Sequence, residues 1–72
     1  MDQVLANAVV DVLKPSTPTS IGRFSVEVWG KEPHDYVRVY EIMAKSDTIA
    51  AQEGIRRFVK EIEALISGKE TV

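Results

Sequence analysis

The sequence predicts an α+β domain ordered helix, strand, strand, helix, in which an antiparallel β-hairpin packs on a long C-terminal helix. Three features lead there: apolar residues at helical spacing near the N-terminus, two alternating runs flanking a Gly/Pro turn, and a continuous apolar stripe after residue 47. With 72 residues, 1–72 is expected to be one domain.

In residues 2–14, Leu5, Val9, Val12 and Leu13 follow the i, i+4, i+7, i+8 spacing of one helical stripe, with Asp2, Asn7 and Asp11 largely on the other side. A short amphipathic helix is expected there. It should stop at Lys14-Pro15, because the residue before a proline is pushed out of the α region. Residues 15–22, with two prolines and a cluster of hydroxyl side chains, read as an extended linker.

Residues 23–44 read as the hairpin. In "RFSVEVWG", Phe24, Val26 and Val28 alternate with Arg23, Ser25, Glu27 and Trp29, the pattern of a half-buried strand. "YVRVYEIMA" is rich in the aromatic and β-branched types that suit a pleated surface. Between them "GKEPHD" supplies Gly30 and Pro33 at a length suited to a turn. The valines of both strands are expected on the helix side, which puts Trp29, Tyr36, Arg38 and Tyr40 together on the opposite face.

Residues 47–67 form the clearest element. Ser46, Asp47 and Thr48 are three successive N-cap candidates, and Ala51, Ile55, Phe58, Val59, Ile62, Leu65 and Ile66 form one stripe. Gly68 suits the left-handed stop, leaving 68–72 as a tail. Glu53, Arg57 and Glu61 succeed one another at intervals of four, so ion pairs are expected along the exposed face. Gly54 costs about 1 kcal/mol against Ala in a helix, a cost that close approach to the sheet would explain.

Composition narrows the function. Hydrophobic residues make up 44% and charged residues 28%, a globular balance, and the net charge of −2 gives no general attraction to phosphate. There is no Cys and only one His, so neither a disulfide nor a structural zinc site is expected, and no cofactor is implied. In "MDQVLANAVVDVLK" no Lys or Arg precedes the apolar middle, the wrong charge order for a secretory signal, and the run is too short to span a bilayer. A cytoplasmic, membrane-free protein is the expectation.

Glu32, His34 and Asp35 are the one cluster suggestive of acid–base chemistry. Adjacent loop residues diverge, however, and no nucleophile or oxyanion donor lies nearby in sequence, so a solvated hairpin tip is the better reading. Arg38, Lys45, Arg56, Arg57 and Lys60 would serve a nucleic-acid interface, but Glu53, Glu61 and Glu63 interleave with the helical ones, favouring a salt-bridged face. Aromatics and Arg are enriched where proteins meet partners, which singles out Trp29, Tyr36, Arg38 and Tyr40 for binding.

The order helix, hairpin, long helix, with "GKEPH" after the first strand, resembles in outline the double-stranded-RNA-binding domain. Only two strands are predicted where that family has three, and "KSDTIAAQ" stands where it has a Lys-rich helix start. No residue role and no membership are carried over.

A core this small yields roughly 3–5 kcal/mol, so a second subunit is the expected support. Self-pairing of the first hairpin strand about Val26 sets Phe24 opposite Val28 and Ser25 opposite Glu27, so a homodimer with a four-stranded sheet is expected there. The expected function is that of a small non-catalytic interaction domain with a possible protein partner; the alternative is the nucleic-acid module.

Overall fold

The computed structural model describes residues 4–32 and 35–67. It shows a three-stranded antiparallel sheet in the order β1-β2-β3, with β1 at Ala6–Lys14, β2 at Gly22–Gly30 and β3 at Val37–Ala44. One long helix, α1 at Asp47–Ser67, packs across one face of the sheet. The class is α+β, and the hairpin and the C-terminal helix stand where the sequence places them. Gly68 and the tail 68–72 lie outside the described residues, as does His34.

The N-terminal segment overturns its expectation: residues 6–14 are a strand rather than a helix. The register Val10↔Val26 and Ala8↔Val28 puts Ala6, Ala8, Val10 and Val12 on the helix side, with Asn7, Val9 and Asp11 on the other. Apolar residues therefore fall on both faces, which hides the period of two and leaves a coincidental helical spacing. Pairing with β2 satisfies the backbone groups of β1 that face it and the edge of β2 that an isolated short helix would leave unpaired.

Residues 15–21 are accordingly a turn between paired strands, not an extended linker. Thr17 and Ser20 bond to each other through their backbones, and Thr17 Oγ1 accepts from the N–H groups of Thr19 and Ser20. Ser16 Oγ donates to the Lys45 carbonyl at 2.7 Å and ties this turn to the start of α1. The β1 register shifts between Val12 and Lys14, making Leu13 the extra residue of a bulge. Gly22 sits against it: a Cβ there would lie 2.7 Å from both the Lys14 carbonyl and the Ser16 nitrogen.

The core lies between the sheet and α1. Phe24, Val26 and Val28 of β2 meet Ala50, Phe58 and Ile62 of the helix, with Ile42 and Ala44 from β3 and Val4 ahead of β1. The buried stripe of α1 is therefore Ala50, Gly54, Phe58 and Ile62, while Leu65 and Ile66 are exposed. Gly54 makes the close approach to the sheet that its place in a helix predicts. Of the candidate caps, Ser46 serves: its Oγ accepts from Ile49 N–H at 3.2 Å and its carbonyl from Ala50 N–H.

Because β2 is the middle strand, both its edges are filled, by β1 and by β3. Pairing of β2 with its counterpart in a second subunit is thereby excluded, and the four-stranded sheet centred on Val26 with it. Among the described residues, the free edges belong to β1 and β3.

Candidate interaction surface

The β2–β3 register determines which side chains meet. Val28 pairs with Arg38, Val26 with Tyr40 and Phe24 with Ile42, so Arg38 and Tyr40 share the helix side with the β2 core residues. Trp29 pairs with Val37 and Glu27 with Val39 on the opposite side. This reverses the expected face of β3: the valines point away from α1, and the four singled-out residues do not form one surface. The physical reason is that Arg and Tyr cover apolar surface with their stems and rings while their polar ends reach outward.

Those polar ends meet Glu61 of α1. Arg38 Nε donates to Glu61 Oε2 and Tyr40 Oη to Glu61 Oε1, each at 2.8 Å. Arg38 also lies 5.8 Å from the centre of the Tyr36 ring. The hydrogen bonds from Arg38 and then Tyr40 hold the Glu61 carboxyl below its ordinary range, while burial and Glu61 push the Tyr40 phenol up to about 12. Glu61 is thus bonded to the sheet and not to Arg57 as its spacing suggests. Glu53 instead takes both Arg56, at 2.7 Å, and Arg57, at 2.8 Å, and these hydrogen bonds pull its carboxyl down to about 2.

The other face of the sheet is bare of any element of the described chain. Its register rows are Asn7–Trp29–Val37, Val9–Glu27–Val39 and Asp11–Ser25–Glu41, with Arg23 and Met43 beyond. Val39 and Met43 are 64% and 62% exposed and Leu5, Val9 and Val37 somewhat less, whereas Trp29 is half-buried. On this face the exposed valines and Met43 are interleaved with Asn7, Asp11, Ser25, Glu27 and Glu41, so apolar side chains surround an acidic centre. Glu27 is exposed at the middle of the face between two valines, and Arg23 is already paired with Glu41 at 3.1 Å.

Sequence reasoning found Trp29 on this surface and missed Val9, Val37, Val39 and Met43. The signal for Val9 lay in the alternation Asn7, Val9, Asp11, which the helical spacing outweighed. Glu32 and Asp35 are exposed at the β2–β3 tip. Among the described residues, no group of three or more His, Cys, Asp or Glu side chains is placed to hold a metal, and no helix is long and apolar enough to cross a membrane. Comparisons with protein-family models, curated proteins and solved structures find no match for this chain.

Proposed function

We propose that the chain is a small non-catalytic cytoplasmic interaction domain, used as a homodimer, whose open sheet face receives an amphipathic protein segment. The observation that carries this reading is the row Val9–Glu27–Val39: an acidic centre in an apolar face that no described element covers. A second copy stacked centrally on that face would bring two Glu27 carboxylates together in a desolvated contact, a costly arrangement. A partner segment with apolar residues around one Lys or Arg complements it instead. Trp29, two residues along on the same face, offers an aromatic surface to that cation. Arg38 and Tyr40, on the other side, fasten α1 through Glu61, with the Tyr36 ring beside Arg38.

The nucleic-acid alternative is less well supported, because Arg38, Arg56 and Arg57 are engaged by Glu61 and Glu53. Firm retention on a polyanion column at low salt would favour it. The test of the main reading uses a synthetic amphipathic peptide of alternating leucines with one central arginine, followed by Trp29 fluorescence and amide shifts. Binding should perturb Val9, Glu27, Trp29 and Val39 and disappear in Glu27→Lys. Perturbation elsewhere, or binding indifferent to Glu27→Lys, overturns it, and a turnover lost on His34→Ala overturns its non-catalytic part.

A further inference from the structure

We infer that the homodimer forms through the free edge of β1, two copies pairing antiparallel about Val9 to make one continuous six-stranded sheet. This rests on the dimer of the preceding reading and names its interface. The Lys31 N–H donates to the Leu5 carbonyl at 3.2 Å, which places the odd-numbered residues of β1 in the bonded positions facing β2. By the alternation of antiparallel ladders, Ala6, Ala8, Val10 and Val12 then direct their N–H and C=O groups outward along the free edge. A two-fold axis at Val9 brings Ala8 opposite Val10 and Ala6 opposite Val12 of the second copy. These outward groups are in phase for a ladder.

The side chains match in the same register. On the open face Val9 meets its own counterpart, Asn7 meets Asp11, and Leu5 meets Leu13 at the bulge. On the helix side each small alanine faces a valine. Moving the axis by one residue breaks this: about Ala8, Asp11 comes opposite Leu5, and about Val10, Asp11 comes opposite Val9.

The β3 edge offers no such register. About Arg38, two guanidinium side chains face each other; about Val39, Val37 faces Glu41; about Tyr40, Val39 faces Glu41 and Arg38 faces Ile42; about Glu41, two carboxylates face each other; about Ile42, Glu41 faces Met43. Self-complementarity therefore belongs to β1 alone of the two free edges, and it is what a closed two-fold contact requires.

The test combines sedimentation equilibrium with variants that separate the edge from the fold. Ala8→Pro removes an outward donor and leaves the bonds to β2 intact, a position at which an edge strand tolerates proline. Two net hydrogen bonds are lost per dimer, so association should weaken by roughly 30-fold. Val9→Lys, on an exposed side chain, sets two ammonium groups against each other on the axis and should also give monomers, whereas Val39→Lys should not. In the wild-type dimer, the Ala8 and Val10 amides should be protected from exchange, and lose that protection on dilution. A wild-type chain that sediments as a monomer near 8.0 kDa at micromolar concentration overturns the dimer itself. A wild-type dimer that survives Val9→Lys, with Ala8→Pro folded and dimeric or unfolded, overturns the β1 edge and leaves the dimer standing.

Discussion

Gly54 of α1 lies directly over Val26 of β2: a methyl group on Gly54 would come within 2.6 Å of Val26 Cγ1 and 3.2 Å of its Cβ. Val26 is fully buried and stiff at its branched carbon, so it has little room to yield. Gly54→Ala gains about 1 kcal/mol of helix propensity, but overpacking costs about 1–3 kcal/mol. The net should be a loss of up to roughly 2 kcal/mol. Adding Val26→Ala should recover part of it, so the double variant in urea should be more stable than the two single losses predict.

Phe58 is fully buried at the centre of the helix stripe. Phe58→Ala should cost about 3–5 kcal/mol, close to the whole stability of a core this size. Circular dichroism at room temperature should show a largely unfolded chain. A cooperative melt like that of the wild type would contradict the packing described.

Ser46 caps α1 through Ile49 N–H. Ser46→Ala should destabilise by about 1 kcal/mol, while Asp47→Ala should cost less because Asp47 is already inside the helix. Denaturant midpoints of the two variants check the order.

Tyr40 should ionise near pH 12, because burial and then the bond to Glu61 favour its neutral form. Its folded value is raised, so its contribution to stability is complete below the ordinary value of 10.0 and is lost as pH climbs through about 12. In Glu61→Gln the midpoint should fall towards the ordinary value, as read by an NMR titration of the ring. Glu61 runs the opposite way: its lowered folded value gives a contribution complete above 4.5 and lost as pH falls through that lower value. Acid unfolding of Glu61→Gln should therefore lack that component. A Tyr40 midpoint unchanged in Glu61→Gln would show that the hydrogen bond is not made in solution.

The sequence by itself determined the hairpin and the long helix, since both are written in local periods. Phe24, Val26 and Val28 alternate beside a turn, and Ala51, Ile55, Phe58, Val59 and Ile62 recur at helical spacing behind a capping Ser46, although packing on the sheet moves the buried line to Ala50, Gly54, Phe58 and Ile62. Tertiary structure decided the rest. Residues 6–14 carry apolar side chains on both faces, so only the vacant edge of β2 selects a strand over a helix. In β3, Val37 and Val39 point outward because the register commits the alternate residues to the helix side, where Ile42 and Ala44 are buried and Arg38 and Tyr40 follow on the same face. That inversion is possible because Glu61, 21 residues beyond Tyr40 and 23 beyond Arg38, receives both polar ends. A period read along the chain contains no information about a partner so far away: burial of Ile42 and Ala44 sets the side β3 presents to α1, and only the folded chain brings Glu61 to the polar ends carried there with them.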